Sequence, residues 1–168
     1  VIDDKYLLVL SSNLTDSNQK NGAILFSNAP MLKTILNEEF ETLKKREYGK
    51  ACTAGCNFEY GRIFFSPGRG CVNAKKEILT AKKGINIAMY TFTQGTPLFT
   101  GLKKISEKGI AMDMILDDWD MGEDEINLPA LKFFRSAGAD ADFDNMKEGR
   151  RKMIMHHKFG VVDGKKVI

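Results

Sequence analysis

The spacing of apolar residues changes several times along the chain, and each change marks an element. Tyr6-Leu7-Leu8-Val9-Leu10 is a continuous apolar run that predicts a strand over 5–10. Ser11 to Gly22 is polar and turn-rich, and Ala23-Ile24-Leu25-Phe26 predicts a second short strand. From Pro30 to Lys45 the spacing becomes that of one helical face, through Met31, Leu32, Ile35, Leu36, Phe40 and Leu43. Asn28 is the expected cap of that helix, with Pro30 in its first turn. Residues 47–61 lose all periodicity, carry Gly49, Gly55 and Gly61, and read as a linker. Beyond them, strands are predicted at 62–66, 85–91, 110–116, 139–143 and 152–162, with helices at 71–83, 97–108 and 128–137. Gly84, Gly109 and Gly138 stand where those helices stop. Strand–helix alternation over 62–162 implies an α/β domain with a largely parallel sheet, whose sites collect at the carboxyl ends of the strands.

Composition narrows the picture only slightly. Hydrophobic residues make up 43% and charged residues 28% of the 168, as in an ordinary globular protein, which excludes disorder and fibrous classes. The net charge of +3 permits an anionic partner without announcing one. No apolar run approaches the ~20 residues of a membrane span, so the expectation is a soluble domain of unassigned compartment. Cys52 and Cys56, four positions apart, fit a disulfide, half a zinc site or two free thiols, with Cys71 left over.

The candidate chemistry is concentrated in Met155-His156-His157-Lys158-Phe159-Gly160-Val161-Val162-Asp163. On a strand, residues two apart share a face, so His156 and Lys158 point the same way and His157 points away. An imidazole with an ordinary pKa near ~6.5 can attack phosphorus or carry a proton. A neighbouring ammonium offsets the charge of phosphoryl oxygens. A second feature is an echo between the two ends of the chain: Val1-Ile2-Asp3-Asp4-Lys5-Tyr6-Leu7-Leu8 can be laid on Val161-Val162-Asp163-Gly164-Lys165-Lys166-Val167-Ile168. Each copy reads as strand, tight turn, strand.

His156, a spacer, Lys158, four residues and Asp163 together resemble the signature of the phospholipase D superfamily. In that family a Gly-Ser-x-Asn segment follows the Asp by seven residues. Here the N-terminal copy resembles that arrangement: Asp3 is followed by Leu10-Ser11-Ser12-Asn13, with Leu10 in place of Gly. Phe65-Ser66-Pro67, Ile87-Ala88-Met89-Tyr90-Thr91-Phe92-Thr93, Lys108-Gly109-Ile110 and Ala137-Gly138-Ala139 are also similar to the family's strand and turn segments, most of all those of its nuclease and cardiolipin-hydrolase type.

The resemblance implies an α/β fold with a mixed, mostly parallel sheet flanked by helices, built from two repeats about a pseudo-two-fold axis. Residues 1–46 would be the end of a first repeat, 47–61 a linker and 62–168 the front of a second, so that the chain is a piece of a longer two-motif enzyme. It implies a phosphodiesterase that forms a covalent phosphohistidine, without metal or cofactor, on a phospholipid or a nucleic acid. A phospholipid substrate would add peripheral contact with a membrane surface. His156, Lys158 and Asp163 take the catalytic positions, Ser11 and Asn13 the substrate-binding ones, and Asp3 a structural one. In double-motif members the first His is usually the nucleophile, which makes His156 the general acid. Two alternatives stay open: a phosphatidyltransferase similar to cardiolipin synthase, and an inactive phosphate-binding scaffold. The scaffold draws on a departure from the family, because Asn21-Gly22-Ala23 lacks the acidic residue that orients a His there. Asp117 and Asp118, at the end of a predicted strand, are the substitutes on offer; a solvated acidic loop shared with Asp120 is the plainer reading.

Overall fold

A computed structural model of the chain describes residues 6–10, 19–20, 22–47, 52, 54–65, 70–118, 126–144, 147–148, 151–152 and 154–168. Asp3, Ser11, Asn13 and Asp120 lie outside the described residues, as does most of the N-terminal copy of the echo. The elements, in chain order, are β1 (Leu7–Leu10), β2 (Gln19–Lys20), β3 (Ala23–Phe26), α1 (Pro30–Lys44), β4 (Cys56–Phe58), β5 (Gly61–Ile63) and α2 (Gly70–Ile78). They continue with β6 (Gly84–Met89), α3 (Pro97–Glu107), β7 (Ala111–Asp117), α4 (Leu128–Ser136), β8 (Asp140–Asp144), β9 (Lys147–Glu148), β10 (Arg151–Lys152), β11 (Ile154–Met155), β12 (Lys158–Val162) and β13 (Lys166–Val167). The chain divides into two compact units, one of residues 1–9 with 23–73, the other of 10–22 with 74–168. Among the described residues no helix is long and apolar enough to cross a membrane.

In the first unit β1 pairs with β3, and Leu7, Ala29 and Leu32 form a small buried cluster edged by Phe26, Leu36, Phe58 and Ile63. Part of the stretch read as a linker is structured. β4 and β5 form an antiparallel hairpin with Cys56 opposite Ile63, and Cys52 and Cys56 are joined in a disulfide. The strand expected over 62–66 is the second arm of this hairpin. The first arm, of three residues, is too short to show a period, so the sequence pattern missed it. The expected cap also differs. Ala29 takes the N-cap position of α1 without a side-chain bond. Glu59, on the hairpin turn, accepts the N–H of Met31 at 2.6 Å and of Leu32 at 3.4 Å. A carboxylate there satisfies donors that a helix start leaves without partners. Asn28 instead accepts the Tyr60 hydroxyl at its carbonyl, at 3.0 Å.

The second unit holds a five-stranded sheet in the order β13-β12-β6-β7-β8. β6, β7 and β8 run parallel, joined by α3 and α4, while β12 runs antiparallel to β6 and to β13. The fold is α/β with a mixed sheet. β7 alternates as its sequence requires, with Met112, Met114 and Leu116 buried and Ala111, Asp113 and Ile115 exposed. Its buried face meets Leu102 and Ile105 of α3 and Leu131 and Phe134 of α4 in one core. Phe92, Phe99, Phe133 and Phe134 gather there, with Phe134 ring centroids 6.0, 5.3 and 5.1 Å from the other three. In β12, Gly160 is buried so tightly that a Cβ would stand 2.8 Å from Ile87 Cδ1 and 3.1 Å from Ile168 Cγ1. The strand expected over 152–162 is interrupted: β10, β11 and β12 are separate, and His156 and His157 lie between strands. β11 pairs in parallel with β2, Met155 opposite Lys20. The helix expected to reach Lys83 ends at Ile78, and Thr80 and Ala81 tighten into bonds to the carbonyls of Glu77 and Ile78.

Phe134 is fully buried among three aromatic rings. Phe134→Ala is expected to lower unfolding free energy by about 3–5 kcal/mol, read by urea denaturation. A loss below about 1 kcal/mol would contradict this core.

Candidate active site

The parallel strands β6 and β7 end side by side, and both ends are pinned. Asn127, just ahead of α4 and 7% exposed, donates from Nδ2 to the carbonyl of Tyr90 at 2.7 Å and to that of Asp117 at 2.8 Å. Its Oδ1 accepts the N–H of Phe92 at 2.7 Å. One buried amide thus ties together the two strand ends and the loop after β6. Asp117, 1% exposed, accepts the N–H of Met155 on Oδ2 at 2.5 Å. The N–H of Tyr90 donates to the carbonyl of His157 at 2.9 Å. His156 sits outside regular strand pairing, yet the residue on each side of it is held, Met155 by its N–H and His157 by its carbonyl.

The side chains converge at the same edge. Lys158 Nζ lies 2.9 Å from His156 Nε2, 3.2 Å from Nδ1 and 3.3 Å from the His156 carbonyl. An ammonium has only donors, so it donates to whichever ring nitrogen lacks a proton. The Tyr90 ring centroid is 4.8 Å from that of His156, tilted by 53°, and Lys158 Nζ lies 5.4 Å from the Tyr90 centroid. Desolvation holds the Lys158 pKa below the ordinary lysine value. Burial, and then the Asp117 charge, push the Tyr90 phenol up, so it stays neutral near pH 7. The cluster presents a nitrogen base and a cation together, a set suited to a phosphoryl group. His157 faces elsewhere, edge-on to Phe159 at 5.7 Å.

Asp163 is not part of that cluster. It follows the far end of β12, five residues or roughly 16 Å of strand beyond Lys158. Its carboxylate accepts the N–H groups of Lys83 at 2.7 Å, Lys82 at 3.0 Å and Gly84 at 3.2 Å. Its own N–H donates to the Gly84 carbonyl at 2.8 Å. Asp163 and Gly164 both have positive φ, +55° and +66°, and Lys165 N–H closes the turn on the Val162 carbonyl. This is the mirror-image turn that Asp-Gly favours. The same bonds explain the early end of α2, since the amides of 82–84 serve the carboxylate instead of a helix.

The sequence profile of the family "Cardiolipin synthase, PLD-like domain" matches residues 74–168, the main stretch of the second compact unit. The chain belongs to the phospholipase D superfamily. No curated protein matches the sequence. Among solved structures, Nuc from Salmonella typhimurium, described as a phospholipase D family member, is 21% identical with a TM-score of 0.49, over 61% of this chain and 63% of its own. NucT from Helicobacter pylori is 21% identical with a TM-score of 0.45, over 59% of this chain and 64% of its own. The match thus spans less than two thirds of either relative.

In this phospholipase D-like chain, the structure brings His156 and Lys158 together and sets Asp163 apart from them. Ser11, Asn13 and Asp3 lie outside the described residues. Asp117 is no solvated loop residue: its carboxylate is buried and acts on the backbone beside His156. Tyr90 and Asn127 were not singled out as site residues by sequence. Tyr90 sits inside an apolar run that reads as strand, and the partners of Asn127 Oδ1 and Nδ2 lie up to 37 positions away. No local signal marks either.

The Asp163 carboxylate titrates below the ordinary range, first through the Lys83 N–H, then through those of Lys82 and Gly84, which outweigh desolvation. A depressed folded pKa contributes stability above the unfolded value near ~3.9, and that stability is lost as pH falls through the folded value. Asp163→Asn, which tolerates positive φ, should therefore unfold at lower urea than the parent at about pH 7, with the gap closing toward about pH 3. A gap that stays constant or widens on acidification would refute this role.

Proposed function

We propose that this chain carries one half of a phosphodiesterase site of the phospholipase D type. The observation that supports it most is the Lys158 ammonium at 2.9 Å from a ring nitrogen of His156, at the carboxyl edge of β6 and β7 in a member of this superfamily. In this reading one imidazole nitrogen attacks phosphorus, a P–N bond forms and the P–O bond to the leaving group breaks. A second imidazole protonates the departing oxygen. Water then attacks the phosphohistidine, giving its proton to that second imidazole, and the P–N bond breaks. Lys158 turns from the ring nitrogen to the non-bridging oxygens as charge grows on them. His156 is the proton-transferring partner, and the nucleophile belongs to the other repeat. Ser11 and Asn13 are the proposed donors to phosphoryl oxygens, from the end of the first repeat over 1–46. Asp163 serves by fixing the strand that starts with Lys158.

The substrate is a phosphodiester, of a phospholipid or a nucleic acid. The family's description as cardiolipin synthase favours a second reading, transfer of a phosphatidyl group to an alcohol in place of water. A diacyl phospholipid offered with glycerol separates the two, since transfer yields a new phosphatidyl ester and hydrolysis yields the acid.

The test is the full-length protein on bis(p-nitrophenyl) phosphate. His156→Ala is expected to lose about 10²–10⁴-fold or more in kcat with unchanged circular dichroism. Retained turnover would remove His156 from the chemistry. Phosphate binding without turnover in the parent would favour the inactive scaffold. The reading routes no step through a metal, so EDTA is expected to leave the rate unchanged, and strong inhibition by chelator would count against it.

A further inference from the structure

We propose that Tyr90 is a positioning residue for the His156–Lys158 pair and acts through its ring, not its hydroxyl. The inference rests on the phosphodiesterase reading above. The ring touches both functional groups: its centroid is 4.8 Å from the imidazole and 5.4 Å from the ammonium. That geometry places the ring as a wall against which the imidazole leans and over which the ammonium sits. An aromatic face attracts a cation within about 6 Å. It therefore gathers a lysine whose four-carbon stem has many rotamers into one arrangement beside the histidine.

The wall itself is fixed. Tyr90 N–H is bonded to the carbonyl of His157 at 2.9 Å, and its carbonyl receives Asn127 Nδ2 at 2.7 Å. Its backbone N–H and carbonyl are thus both tied, the N–H to the residue adjacent to His156. A side chain with a fixed base and two contacts on its ring is built to aim its neighbours. The phenol is the less suitable part. A phenol is neutral at neutral pH, and burial and the nearby Asp117 carboxylate push its pKa further up, which leaves it a poor base or nucleophile there.

Three proteins separate the possibilities: the parent, Tyr90→Phe and Tyr90→Leu, all in the full-length protein. With bis(p-nitrophenyl) phosphate, Phe should stay within about threefold of the parent, and Leu should lose about 10²-fold in kcat with KM within about twofold, the pattern of a misplaced reacting group. A Leu variant with parental kcat, a Phe variant as impaired as Leu, or a loss confined to KM would each overturn the proposal. A second reading needs no turnover. The carbon-bound ring protons of His156 should be displaced by the Tyr90 ring current, and that NMR displacement should survive in Phe and vanish in Leu. Identical His156 shifts in all three would overturn the proposal as well. If Leu does not fold, Tyr90→Met replaces it in both arms. A parent protein without turnover would defeat the phosphodiesterase reading, and the ring-proton arm would still decide whether Tyr90 holds the pair.

Discussion

Everything at the candidate site depends on how backbone without regular pairing is held still around one histidine. His156 falls in the gap between β11 and β12. A residue there would ordinarily keep much of its conformational freedom, which folding must suppress at about 1–2 kcal/mol per residue. The chain suppresses it from both sides. A buried carboxylate, Asp117, takes the amide before it, and Tyr90 donates to the carbonyl after it. Asn127 then joins these two holders to each other through their own carbonyls. Asp117 and Asn127 are themselves buried and hydrogen-bonded, so releasing one strands the other in a dry interior. That mutual dependence fixes an irregular segment on both sides of His156.

The mixed sheet explains why the site can be assembled at all. In the parallel portion, β6 and β7 deliver Tyr90 and Asp117 to the same edge. β12 enters that edge in the opposite direction, beginning at Lys158 opposite Met89. An antiparallel strand contributes its start where its neighbours contribute their ends. His156 and Lys158 therefore lie beside the ends of β6 and β7. The tight seat of Gly160 against Ile87 and Ile168 lets β12 lie close to β6.

Local signals were legible in the sequence, and distant ones were not. α3 was expected over 97–108 and runs Pro97–Glu107, because Thr96 caps it by accepting the Phe99 N–H and Gly109 leaves it at φ +70°. β7 was legible through its alternation of Met and Leu with Ala, Asp and Ile. The pairing of His156 with Lys158 was expected from two-residue periodicity; His156 is not within a strand, and the long Lys158 side chain reaches it from the first position of β12. By contrast, Glu59 caps a helix 28 positions upstream, and Asp163 serves amides about 80 positions away. Such partnerships leave no trace in spacing. The disulfide between Cys52 and Cys56 was one of three readings that spacing alone left open. Asp163 was placed in the catalytic set by motif resemblance, whereas geometry gives it a carboxylate clasp at the opposite end of the strand.

That clasp gives the interval between Lys158 and Asp163 a meaning as a measure of length. One end of β12 is anchored where Asp163 grips residues 82–84, and the other must deliver an ammonium to the imidazole. A single inserted residue would turn Lys158 to the reverse side of the sheet, because strand side chains alternate. Two would restore the side but overshoot by roughly 6.6 Å. The four intervening residues are thus a gauge block cut to one size, and the motif's arithmetic is carpentry before it is chemistry.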